Sequence, residues 1–166
     1  AVGSILGDGP YDFGNGILIN GAGYRFNAII VKYDTAGTAR WGKSEVEAPD
    51  DSSFLSVSVH DECVYAAGYI AGNGQFDFGS SNRVFGSYES GDNAVLVEYC
   101  TCEGGTLGAR TVVHGGQESL FNAVTSGSTG VYAAGSIVGA GTYDFGNSVL
   151  VSGPNVSGTN SVLVRY

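Results

Sequence analysis

Tyr11-Asp12-Phe13-Gly14 returns as Phe76-Asp77-Phe78-Gly79 and again as Tyr143-Asp144-Phe145-Gly146, at spacings of 65 and 67 residues. A second series keeps the same step: Asn27-Ala28-Ile29-Ile30-Val31-Lys32-Tyr33, Asn93-Ala94-Val95-Leu96-Val97-Glu98-Tyr99 and Asn160-Ser161-Val162-Leu163-Val164-Arg165-Tyr166. A third precedes the tetrapeptide: Ala1-Val2-Gly3-Ser4-Ile5, Ala66-Ala67-Gly68-Tyr69-Ile70 and Ala133-Ala134-Gly135-Ser136-Ile137. Its small residues imply a closely approached backbone. The last quarter occurs twice, as Phe54, Val57 and Val64 matched by Phe121, Val124 and Val131. The chain thus carries about two and a half copies of a unit of roughly 66 residues, and a period of that size marks a repeat architecture.

Within a unit, Val, Ile, Tyr and Phe gather in short runs bounded by Gly, Asn, Asp and Ser, which reads as four strands. In the second unit these fall near 39–46, 54–59, 64–71 and 94–99. Tyr33-Asp34-Thr35-Ala36-Gly37 reads as the turn into the first, since Asp can bond its own backbone and Gly accepts a positive φ. No window shows a helical period. Four antiparallel strands per unit, with units too small to bury both faces alone, is the logic of β-propeller blades. The Asn93–Tyr99 run is apolar on both faces, as a strand between two blades should be. The expectation is an all-β domain over 1–166: a half blade at 1–33, then blades at 34–99 and 100–166. A β-sandwich or β-solenoid competes, although a solenoid normally has a shorter period. Propellers close with about 4 to 8 blades, so the ring is incomplete. Either a longer polypeptide or further copies of the chain would complete the array, and the first unit, lacking its two opening strands, leaves a sheet edge that another segment could cover.

These residues resemble the bacterial SBBP-type β-propeller repeat, whose pattern is Tyr-Asp-x-x-Gly-x-x-x-Trp, a Val-Tyr-x-x-Gly strand and an Asp-Phe-Gly turn. Tyr33 to Trp41 carries the first element, Val64-Tyr65-Ala66-Ala67-Gly68 and Val131-Tyr132-Ala133-Ala134-Gly135 the second, and the three Asp-Phe-Gly copies the third. The third unit departs from it, with Cys100 in place of Asp and no Trp near Arg110. The resemblance implies an exported or cell-surface repeat scaffold with no shared catalytic residues.

Composition points the same way. In 166 residues there are 28 Gly, no Met and 14% charged residues, while 43% are hydrophobic, enough for a core. A net charge of -9 repels phosphate backbones and anionic lipid, and the 7 Lys and Arg are scattered, so nucleic acid is excluded as a partner. No apolar run reaches the roughly 18 residues of a membrane-crossing helix. The start at Ala1, with no basic-then-apolar leader, fits a trimmed or excised product of an exported protein.

Asp12, Asp77 and Asp144 fall on one rim by repeat symmetry, where carboxylates could hold Ca²⁺ or a sugar hydroxyl. A structural turn is the competing reading, because a Ca²⁺ loop needs several closely spaced oxygen ligands that Tyr-Asp-Phe-Gly lacks. Trp41 is an aromatic candidate without a counterpart in the third unit. His60 and His114 occupy unmatched positions and make no metal or triad spacing. Three cysteines allow one bridge: if 64–71 and 94–99 are neighbouring strands, Cys63 lies near Cys100 or Cys102, giving Cys63–Cys100, with Cys63–Cys102 or three free thiols as alternatives. No residues point to a catalytic cluster, a metal or a cofactor. The function expected is a non-enzymatic structural, assembly or interaction scaffold at a cell surface. A carbohydrate-binding module recognising surface glycans is the alternative, and a fragment of a larger propeller enzyme a further one. A lectin should repeat an aromatic-plus-carboxylate pocket in each unit, whereas an enzyme should show one unrepeated cleft.

Overall fold

A computed structural model describes all 166 residues, and every regular element in it is a strand. The first pass of the repeat gives β1 (Val2–Leu6), β2 (Pro10–Asp12), β3 (Leu18–Asn20), β4 (Phe26–Tyr33) and β5 (Ala39–Ser44). The second gives β6 (Ser52–His60), β7 (Cys63–Ala71), β8 (Gln75–Asp77), β9 (Arg83–Phe85), β10 (Asp92–Cys100) and β11 (Thr106–Thr111). The third gives β12 (Ser119–Gly127), β13 (Gly130–Val138), β14 (Thr142–Asp144), β15 (Leu150–Ser152) and β16 (Thr159–Arg165).

The middle sheet has the order β6-β7-β10-β11, antiparallel throughout. Sheet one, β1-β4-β5, lacks a counterpart of β6; sheet three, β12-β13-β16, lacks a counterpart of β11. Each sheet also carries a two-stranded hairpin, β2-β3, β8-β9 or β14-β15. The sheets are separate and enclose no closed ring.

This membership corrects the expected grouping. The strand near 39–46 does not open the second unit, because Ala39–Ser44 pairs with β4. The reason is local. Only residues 34–38 separate the two strands, and Asp34 accepts the Ala36 and Thr38 N–H groups at 2.9 Å while Gly37 takes φ 79°. So tight a turn returns the chain against the strand it has just left. The full sheet therefore spans 52–111 and straddles the boundary expected at 99/100, and sheet one lacks one strand rather than two.

Each Asp-Phe-Gly copy makes the same hairpin turn. The Asp side chain accepts the Gly N–H at 2.8 Å in all three, and Gly14, Gly79 and Gly146 take φ of 92°, 94° and 90°, a conformation costly for any residue with a Cβ. Each repeat-matched Asn then pins the loop leading into its strand. Asn93, fully buried, donates to the carbonyls of Gly72, Tyr88 and Gly91 and accepts the Tyr88 N–H at 2.8 Å. Asn27 and Asn160 repeat the arrangement. Such buried backbone groups would otherwise stand unsatisfied.

The core lies between sheets. One cluster joins Ala28, Ile30 and Trp41 of sheet one to Phe54, Ala66, Val95, Val97 and Tyr99 of sheet two. Another joins Ala67, Ala94 and Leu96 of sheet two to Phe121, Ala133, Val162 and Val164 of sheet three. At the second boundary β6 and β12 run side by side, with Ser56 Oγ accepting the Val124 N–H at 3.1 Å, Ser58 Oγ accepting the Ser126 N–H at 3.0 Å, and the Ser58 and Ser126 hydroxyls 2.8 Å apart.

Candidate functional site

Every sheet has two unlike faces. One is roofed by its own hairpin, as Phe76, Phe78 and Val84 lie with Val95, Val97 and Tyr99; the other is bare, as with Ala67, Ala94 and Leu96. Within the chain a bare face meets a roofed face twice. One of each is left over at the ends. On the bare face of sheet three Leu163 is 66% exposed, against 5% for Leu96 and 2% for Ile30 at the matched positions. On the roofed face of sheet one Tyr11 and Tyr33 are 38% and 39% exposed, while Phe76, Tyr143 and Tyr99 are all at 0%. The outer side of β1 and the outer side of β16 are also unpaired strand edges.

The rim carboxylates Asp12, Asp77 and Asp144 are placed at equivalent points of the three hairpins, and each spends an oxygen on its own turn. Asp77 is held below the usual carboxylate range by the Arg83 guanidinium at 2.9 Å and by the Gly79 N–H. No three His, Cys, Asp or Glu side chains gather as a metal set. His60 Nε2 lies 3.5 Å from its neighbour Asp61, whereas His114 lends its backbone to a bridge with Asp144.

Cys63 and Cys100 do stand opposite one another in the register of β7 and β10, as the strand argument requires. The bond, however, joins Cys100 to Cys102, with Cα atoms 5.4 Å apart, and Cys63 is free. The turn after β10 explains the difference. Gly104 N–H returns to Cys100 O and Cys102 N–H points at Cys100 Sγ at 3.2 Å, so the chain itself presents Cys102 to Cys100. The Cys63 thiol faces Glu98 instead, whose hydrogen bond pushes its pKa up.

A buried carboxyl went unnoticed in the sequence. Glu45 sits between sheets one and two, accepting the Ala28 N–H at 3.0 Å and the Ser52 hydroxyl, and burial pushes its pKa up. Its repeat counterpart is Val112, so the break in the periodic pattern was the available signal. Beside it the Tyr99 hydroxyl is buried without a partner.

The two sheet boundaries differ in filling. At the first, the Trp41 ring lies against Gly104 and its Nε1–H donates to Thr101 O at 3.1 Å, joined by Lys32 Nζ at 2.7 Å. At the second, Gly108 stands where Trp41 would, Glu98 where Lys32 would, and a cleft of about 450 Å³ opens. Tyr65 donates to Glu98 there at 3.3 Å, and burial with the Glu98 charge pushes its pKa up to about 12. The matched space at the first boundary is about 240 Å³.

Neither a family model nor a curated protein matches this sequence.

Proposed function

We propose that this chain is part of an exported, cell-surface scaffold of the SBBP β-propeller type, whose role is structural: it stacks, bare face on roofed face, with further units of its own kind. The observation that carries this reading is the contrast at matched positions. Leu96 and Ile30 are buried by the next sheet, whereas Leu163 is not, and burying one such side chain contributes roughly 1.5–3 kcal/mol. The leftover faces are the two halves of a contact the chain already makes twice, and the leftover edges at β1 and β16 each lack the strand that the middle sheet has. Joining unlike faces is a head-to-tail association, which closes into a ring when the rotation per unit allows.

Two further features support the reading. The Cys100–Cys102 bridge suits an oxidising compartment outside the cytosol. The rim carboxylates are occupied in turns rather than converging on a substrate. The carbohydrate-binding alternative called for the same pocket in every unit, and the unequal boundaries weigh against it.

Sedimentation of the chain, wild type and Leu163→Glu, tests the proposal. Concentration-dependent association above the 17.0 kDa monomer, abolished by the substitution, is the expected result. A monomer at all concentrations, or association indifferent to Leu163→Glu, would overturn it.

A further inference from the structure

The boundary between sheets two and three holds a cleft at which three lining positions depart from the repeat. Gly108 replaces the Trp41 ring, Glu98 replaces Lys32, and Arg110 replaces Lys43. The cleft, of about 450 Å³, falls in the range of small-molecule sites, roughly 300–1,000 Å³. Its apolar wall includes Leu96 and Leu107.

The polar groups fall into two opposite poles. Glu98 pairs with Gly108 and Leu96 with Arg110 across β10 and β11, so Glu98 and Arg110 share a sheet face as diagonal neighbours, about 7–8 Å apart between Cα atoms. They form no ion pair with each other, and Arg110 has no carboxylate partner anywhere in the chain. Tyr166 adds to the wall, its ring packed edge-on against Phe121 and its hydroxyl buried away from solvent. Glu98 therefore offers a carboxylate and Arg110 a guanidinium, and to one side of the pair, at Gly108, lies room for a ring of indole size.

We propose that this cleft binds a free aromatic α-amino acid as its zwitterion. The ammonium meets Glu98, the carboxylate meets Arg110, and the ring fills the volume that Trp41 takes at the other boundary. A bidentate guanidinium–carboxylate contact fixes orientation, and a ligand lacking either charge leaves one pole unpaired. The inference does not rest on the stacking proposal, since the cleft lies inside one chain.

The test is calorimetry and amide NMR titration of the 166-residue chain with L-tryptophan, alongside tryptamine, indole-3-propionate and glucose. Saturable binding of L-tryptophan is expected, with both single-charge analogues weaker by about tenfold or more. Gly108→Trp should abolish binding by filling the cleft, because a Cβ there meets only Glu98 Oε2, at 3.8 Å. Should that variant fail to fold, Arg110→Ala and Glu98→Gln change partly exposed side chains, and each should weaken binding about tenfold. No saturable binding of L-tryptophan at millimolar concentration, tighter binding of glucose, or binding unchanged in these variants would overturn the proposal.

Discussion

Gly3, Gly68 and Gly135 occupy one repeat position, and the structure separates them sharply. An added Cβ at Gly68 would sit 1.9 Å from Ser53 O, and at Gly135 1.9 Å from Leu120 O; at Gly3 it would meet nothing within 4 Å. The difference is the neighbouring strand. β6 and β12 bulge past Gly68 and Gly135, whereas the edge beside Gly3 is open. To reach an ordinary contact of about 3.4 Å the backbone of β6 must retreat by more than about 1 Å, which breaks ladder hydrogen bonds on either side of the bulge. Losing two or three of these, at about 1 kcal/mol each, puts Gly68→Ala and Gly135→Ala at about 2–4 kcal/mol of destabilisation. Gly3→Ala should cost less than about 0.5 kcal/mol in the monomer. Urea unfolding followed by far-ultraviolet circular dichroism reads all three. Equal costs at the three positions, or a neutral Gly68→Ala, would refute the argument. Run at concentrations where the chain associates, the same series adds a reading: a Gly3→Ala penalty that appears only in the assembled state marks a strand arriving beside β1.

Trp41 is buried with a satisfied N–H, so Trp41→Ala should lower stability by about 3–5 kcal/mol, measured by the same unfolding assay. Glu45 has a folded pKa raised above its unfolded value, so the unfolded state releases its proton first and stability falls as pH rises from about 4.5 towards the folded value. Glu45→Gln should flatten that slope, and an unchanged pH profile between pH 4 and 7 would contradict it. Reducing the Cys100–Cys102 bridge opens so short a loop that stability should drop by only about 1–2 kcal/mol, and before reduction alkylation with mass mapping should label Cys63 alone.

The repeat, the strands and the hairpin role of Asp-Phe-Gly were legible in the sequence because each rests on a local rule, such as alternation, turn chemistry or the positive φ of Gly14, Gly79 and Gly146. Sheet membership was legible too, but in the turn rather than in the period. Asp34 and Gly37 make a hairpin, and a repeat boundary drawn at Tyr33 cuts through it. The register expectation that set Cys63 opposite Cys100 was sound, while the competing bond to Cys102 depended on how tightly residues 100–105 turn. The cleft lay hidden because period-seeking attends to what recurs. Its signal is the failure of recurrence at Gly108, Glu98 and Arg110.

The central physical claim is that successive units pack sheet on sheet, with β6 alongside β12. Ser58 and Ser126 Oγ atoms stand 2.8 Å apart across that boundary, 68 residues apart in sequence. In a Cys63→Ser background, Ser58→Cys with Ser126→Cys should oxidise to an intramolecular disulfide in air, read as a mass loss of about 2 Da with no free thiol. Two thiols that remain reactive in the folded protein would contradict the packing on which the stacking proposal and the cleft both depend.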